Sequence, residues 1–449
     1  MIPHSREFRK RRGMNWLVLG LTYSTMYMGR YNLALVNPLL SKTYGWDKTQ
    51  IGGIITPALL AYGIFAVFNG PIADRIGGRK AILWGAFGTV CCNIAFGLGS
   101  YFDFLGTGGL LLGYFATVWM MNAYFQSFGA VSLIKVNSAW FHLRERGVFS
   151  AVFGSMIQLG RTLIYFLGPL VMAAFSWKWV FFIPSMLIAC MALMSFFVVQ
   201  DAPENCGLPE LVVQEELDES GSAVSIRVLL KRIFTHPVTL AIAVAEFCTG
   251  FVRQGFEQWF PRYMMEVQHL PFESGAFQKN ALAIVAAGIL GSLIAGTLSD
   301  WVFQGRRTPV AFLGYMLQLC SLTVVWRAPG LNTVIAAFIL NSCAISMVQS
   351  MLSGTASMDF GGKKASATAA GLFDGMQYIG GSFVGFAMGW ILEHWGWTYW
   401  GPSMMGFSAV GALLMLSFWR ARPDAPRQAR VQKRAKQTVA ATVEASASS

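Results

Sequence analysis

GPIADRIGGRK at residues 70–80 and GTLSDWVFQGRR at residues 296–307 follow one plan. Each places a glycine four residues before an aspartate, Gly70 before Asp74 and Gly296 before Asp300. Each then ends in a basic pair, Arg79-Lys80 and Arg306-Arg307. The plan suits a tight exit from a helix. Glycine allows close helix approach and the turn, and the acid can meet a helix end or a basic side chain. One copy is weak evidence. Two copies at matched points of two similar halves identify an internal duplication.

The surroundings of the two loops say what is duplicated. Of the 449 residues 55% are hydrophobic and only 12% charged, about half the charged share of a soluble domain. Apolar runs begin near residues 14, 51, 81, 108, 148, 179, 238, 281, 309, 332, 366 and 400. Each is long enough for a hydrocarbon core of about 30 Å, and within lipid each must be a helix to satisfy its own backbone. The expected fold is an all-α membrane protein of twelve transmembrane helices in two pseudo-symmetric six-helix bundles.

Five segments are expected: a basic N-terminus over 1–13, a first bundle over 14–200, a central loop over 201–236, a second bundle over 237–420, and a polar, basic, disordered tail over 421–449. The first run is too long for a cleaved signal. Basic residues crowd both ends, from Arg6 to Arg12 and from Arg420 to Lys436, so both termini are expected in the cytoplasm. That explains the net charge of +12 without nucleic acid. The alternate loops agree, with Arg75 and Arg79, Arg144 and Arg146, Arg306 and Arg307, and Lys363 and Lys364 inside. The seven cysteines show neither metal nor disulfide spacing. No nucleotide loop, metal cluster or nucleophile constellation appears, so no cofactor, no metal and no enzyme activity is expected.

Charges inside spans carry the functional information, because they are costly there and face a bundle interior or wet cavity. Arg30, Arg161 and Arg253 are the cations; Glu246, Glu257 and Asp374 are the acids. Arg30 and Arg253 lie at equivalent depths, one in the first span of each half. A guanidinium grips phosphate or carboxylate with parallel hydrogen bonds, so the two can clamp one small anion between the bundles. Alternatively Glu257, one turn after Arg253, neutralises it. Tyr23, Tyr27 and Arg30 share one helical stripe, which reads as cavity lining or as an interfacial belt.

At these residues the chain resembles the organophosphate:phosphate antiporters of the major facilitator superfamily, which include the glycerol-3-phosphate and hexose-phosphate carriers. The resemblance runs from about residue 23 to 412. It rests on YSTMYMGRYN at 23–32, AYGI at 61–64, NAYFQ at 122–126 with WFHLRERG at 140–147, RQGFEQWFPRY at 253–263, and KKASATAAG at 363–371 through Tyr378 to Ser382. It implies phosphate-gripping roles for Arg30 and Arg253, site tyrosines at Tyr23, Tyr27, Tyr62 and Tyr378, and two bundles rocking about a central site. The match has departures. Ala66, Ile157 (with Gln158 beside it) and Val285 stand where the glycerol-3-phosphate carrier has lysine, histidine and glutamate, while Arg161 and Asp374 stand where it has glycines. Arg161 with Gln158 either supplies a third positive group, or Arg161 pairs with Asp374. Glu246 is a proton site, a gate or a capped carboxyl.

The expected function is alternating-access exchange of a phosphate ester for inorganic phosphate by a monomer in a bacterial inner membrane, with lipid its surrounding partner. A proton-coupled organic anion symporter and a transporter-like sugar-phosphate sensor remain alternatives. Trp177 and Trp179 are read as an outer interface, His142 as solvated, and Gly380-Gly381 as a point of close helix approach.

Overall fold

The structure is a computed structural model that describes residues 5–102, 106, 108–141, 146–209, 235, 237–272, 274–327 and 330–420, the side chains of 138, 146–155, 300 and 354–371 excepted. The described residues contain helices and no strand. The first half comprises α1 (Arg6–Tyr44), α2 (Lys48–Ile76), α3 (Gly78–Leu98), α4 (Gly109–Gln126), α5 (Phe128–Trp140), α6 (Arg146–Ala174) and α7 (Trp179–Val198). The second comprises α8 (Pro237–Glu266), α9 (Gly275–Trp301), α10 (Thr308–Arg327), α11 (Leu331–Gln349), α12 (Ala356–His394) and α13 (Trp400–Ser417).

All twelve apolar runs are helical, with four differences in detail. The fourth run is split at Ser127 into α4 and α5, and the tenth ends in a π-helical segment, Ser350–Thr355. α12 begins at Ala356, so Lys363 and Lys364 lie on helical backbone rather than in a short loop. α8 continues to Glu266, so Arg262, expected in an outer loop, lies inside a helix. The predicted tail, most of the central loop and His142 lie outside the described residues.

Eight described segments are long and apolar enough to cross a membrane by length and composition. The helices α1, α8 and α12 are not among them, and these carry Arg30, Arg253 and Asp374. Their polar residues lower the hydropathy, and burial between neighbours compensates: Asn32, Glu246, Thr249, Gln254 and Gln377 are all essentially inaccessible.

The halves meet chiefly along α2 and α12, which run antiparallel. Small residues make that seam possible. A Cβ on Gly52 would overlap the Gly385 carbonyl oxygen, and one on Gly389 would overlap that of Lys48. On α8, a Cβ on Gly250 would strike the Gln377 carbonyl, and one on Gly380 that of Phe247. The Gly380-Gly381 pair therefore serves the approach of α12 to α8.

At the end opposite the termini, polar bonds join the halves. Lys48 Nζ lies 3.5 Å from Glu266 and 3.6 Å from Glu393, and its backbone N–H donates to Glu393 at 3.0 Å. Arg262 donates from the other side to Asn37 (2.7 Å) and Ser41 (3.0 Å), and to Glu266 at 2.6 Å.

The first duplicated loop turns at Gly77, with φ +88°, and the second at Gly305, with φ +82°; both angles favour glycine. Asp74 pairs with Lys135 of α5 at 2.9 Å. Asp201 accepts from the Arg79 backbone N–H at 2.7 Å, and the Arg79 side chain donates to the Phe196 carbonyl. In the second loop Arg306 Nε donates to the Phe303 carbonyl at 3.2 Å. These bonds stay within one half.

Candidate functional site

Arg30 occupies a prepared slot. Its guanidinium lies between the rings of Tyr27 and Tyr62, 4.3 and 4.6 Å from their centroids, a cation–π arrangement. Nε and Nη2 donate to Gln126 Oε1 at 3.3 and 3.1 Å, and Nη1 donates to the Tyr378 hydroxyl at 3.0 Å. The Gln126 amide donates to the Met26 carbonyl at 2.8 Å, which aims its oxygen at Arg30. Tyr23 packs edge-on against Tyr27, with centroids 5.1 Å apart, and completes the stripe.

Arg253 faces the same tyrosine from the second half. Its guanidinium lies 5.1 Å from the Tyr378 ring, which in turn packs 4.0 Å from the Tyr62 ring. Arg253 is 4% exposed, and its Nε and Nη2 have no acceptor among the described residues. A buried guanidinium with two orphaned donors is costly; an incoming anion can satisfy both. Beside Arg30 a cavity of about 30 Å³ is lined by Tyr62, Asn122, Gln126, Gln258 and Tyr378. That is room for little more than a water.

Arg161 forms a second cluster and corrects two sequence expectations. It pairs with Glu257, not with Asp374, and Glu257 thereby serves Arg161 rather than Arg253 one turn away. The Tyr31 hydroxyl completes the group. It donates to Glu257 Oε2 at 2.6 Å and accepts from Arg161 Nη2 at 3.0 Å. Arg161 Nη1 donates to Gln158 at 3.3 Å, whose amide nitrogen abuts Gly288 of α9. Gln158 therefore sits in the α6–α9 seam.

Asp374 forms no ion pair within 4 Å among the described residues, but lies in the electrostatic field of both Arg253 and Arg30. Glu246, wholly inaccessible, accepts one bond, from Gln377 at 2.9 Å. The side chain of Asp300 is not described. Among the described residues, no group of His, Cys, Asp or Glu could hold a metal ion.

Three contributors escaped the sequence reading. Gln126 carries a signal in the sequence, since Asn122 and Gln126 make an i, i+4 polar pair in an apolar span. Tyr31 follows Tyr23 and Tyr27 at a spacing of four. Gln377 gave no local signal, since its partner Glu246 is 131 residues away.

Two helical halves that each bring a buried arginine to the same tyrosine, Tyr378, suit a multi-pass membrane carrier. The chain belongs to the Major Facilitator Superfamily, whose sequence model matches residues 19–385; this is a family of transporters, not of enzymes. The chain is 25% identical over 446 residues to a probable hexose phosphate transport protein of Chlamydia pneumoniae, covering 93% of this chain and 94% of that protein. It is 26% identical over 420 residues to the glycerol-3-phosphate transporter of Bacillus subtilis, covering 91% and 92%. Its fold is that of a bacterial homologue of the human lysosomal transporter Spinster, solved inward-facing and unoccupied, with a TM-score of 0.67 at 14% identity over 92% of this chain and 94% of that one.

Proposed function

We propose that this carrier binds a phosphate ester between Arg30 and Arg253 and exchanges it for inorganic phosphate by alternating access. The observation that carries this reading is Arg253, buried with two guanidinium nitrogens that have no acceptor among the described residues, against the tyrosine that holds Arg30 of the other half. A phosphate oxygen accepts from guanidinium in the plane these donors present. One anion bridging the halves draws them together, and the energy of that bridge offsets desolvation of the phosphate. The names of the similar proteins, a hexose phosphate and a glycerol-3-phosphate carrier, support an ester as cargo.

The tyrosines Tyr23, Tyr27, Tyr62 and Tyr378 line the clamp and position its cations. The Arg161–Glu257–Tyr31 group ties α6 to α8 across the halves beside it. The duplicated loops carrying Gly70, Asp74, Arg75, Arg79, Asp300 and Arg306 act as hinges of the rocking motion. A monomer in a bacterial inner membrane with cytoplasmic termini completes the reading, which makes the Lys48–Glu393 end the outer one. The test is counterflow in proteoliposomes loaded with phosphate and challenged with labelled phosphate, phosphate esters and carboxylates. Phosphate-dependent entry of an ester is expected. Binding without counterflow would point to a sensor, and entry of carboxylates alone would refute the phosphate clamp.

A further inference from the structure

Glu246 has no place in the anion clamp, yet it is the most secluded charge-bearing group described in the protein. Its exposure is 0%. One oxygen accepts a single amide bond from Gln377, and the other has no partner among the described residues. Among the described residues, no lysine or arginine comes within ion-pair distance of it. Gln377, also 0% exposed, leaves its own carbonyl oxygen without a donor among the described residues. An ionised carboxylate held by one amide bond is a poor occupant of such a place, since burying an uncompensated charge costs several kcal/mol. A carboxylic acid fits it better. A half-turn of the Gln377 amide presents the orphaned carbonyl oxygen to the acid's O–H.

The surroundings connect this proton to the anion. Asp374 on α12 and Arg253 on α8 both act on Glu246 electrostatically, and the Tyr315 hydroxyl on α10, bonded to Thr249 and to the Ala245 carbonyl, lies in the field of Glu246. The helices α11 and α13, also packed on α8, contribute no charged side chain. Asp374 stands one turn from Gln377 and in the field of Arg253 and Arg30. With the clamp empty, the arginines balance Asp374. An anion arriving at the clamp takes over their charge and leaves Asp374 uncompensated, which favours a proton on the neighbouring acid. Departure of the anion reverses this.

From this geometry we infer that Glu246, with Gln377 and Asp374, is a proton-binding site, and that the carrier moves a proton in the same direction as its anion. The inference rests on the anion reading above. It adds an activity that pure exchange lacks, net anion uptake driven by a pH gradient, because exchange of two equally protonated complexes moves no net proton.

The experiment uses the full chain in proteoliposomes with two readouts. Counterflow of labelled phosphate reads anion exchange. Net phosphate entry into anion-free vesicles with an acidic exterior, with a lumenal pH dye, reads proton movement. Wild type is expected to show both, with lumenal acidification that follows phosphate entry. Glu246→Gln fixes the neutral shape; it should keep counterflow and lose gradient-driven entry by about tenfold or more. Glu246→Ala serves as a second variant should Glu246→Gln not reach the membrane. Wild-type counterflow with no response to the gradient overturns the proton inference and leaves the exchange reading standing. Gradient-driven entry retained in Glu246→Gln removes the assignment to Glu246. Absence of wild-type counterflow sinks both.

Discussion

Glu257 gives its carboxylate to Arg161 of the opposite half and not to Arg253, one turn earlier on its own helix. This choice leaves Arg253 Nε and Nη2 without an acceptor among the described residues and ties α6 to α8. Because the pair is buried, removing one partner strands the other. Glu257→Gln is expected to lower stability by about 3 kcal/mol, and Arg161→Gln added to it should recover part of that loss. Thermal unfolding of the two single variants and the double in one detergent measures the coupling; additive losses would mean the pair contributes nothing as a pair.

The clamp depends on the planar fork of its cations. Arg30→Lys loses the paired bonds to Gln126 and the bond to Tyr378, and Arg253→Lys loses the two donors left for the anion. Each is expected to reduce phosphate counterflow by about 100-fold or more. Wild-type rates in both variants would remove the clamp.

Tyr378→Phe separates two contributions of one side chain. The ring that faces Arg253 and packs on Tyr62 stays, while the hydroxyl that accepts from Arg30 goes. Loss of one hydrogen bond to a charged group corresponds to about tenfold in exchange rate. A loss as large as that of Arg30→Lys would show that the hydroxyl touches the anion itself.

The α2–α12 seam tolerates no side chain at its closest points. Gly52→Ala sets a methyl group against the Gly385 backbone, which cannot yield as a flexible side chain would. The variant should fold but fail to close at the Lys48 end, so that Thr56→Cys, placed in the same seam, reacts faster with an impermeant maleimide than it does with Gly52 present. Equal labelling would show that the seam opens elsewhere.

The Lys48–Glu266–Glu393 contacts at the end opposite the termini have a defined pH sense. At 30 residues α8 is about 45 Å long, more than a core of about 30 Å, and Glu266 at its tip and Glu393 near the end of α12 lie beyond the spans. The Lys48 backbone N–H, with the Lys48 ammonium, holds Glu393 below the ordinary glutamate range. Burial pushes Glu266 the other way, but Arg262, Trp397 and Lys48 outweigh it and also lower it. Lowered carboxyl values mean that these contacts are complete above the ordinary glutamate range and are lost only as pH falls through the depressed values. Labelling of Thr56→Cys should therefore stay flat from neutral to mildly acidic pH and rise only in stronger acid. A rise near pH 6 would contradict these assignments.

Apolar runs in the sequence were enough to place the helices, because the cost of exposing apolar groups to water is read residue by residue, although α1, α8 and α12 are too polar to pass as spans on hydropathy alone. The duplicated loops at Gly70 and Gly296 were legible for the same local reason, since a glycine turn and its flanking charges lie within a dozen positions. Arg30 and Arg253 stood out because a cation within an apolar span has few other uses. The partners of these charges were not legible. Glu257 looked paired with Arg253 by helical spacing, and Gln126, Tyr31 and Gln377 drew no notice.

The amino-acid order by itself thus determined which segments enter the membrane and which charges enter with them. Only the tertiary structure decided which carboxylate pairs with which guanidinium, and that Arg253 keeps two nitrogens without an acceptor among the described residues. The reason is physical: solvent preference belongs to a residue and its near neighbours in sequence, whereas a hydrogen bond inside lipid belongs to whichever helices the packing of small residues brings within about 3 Å.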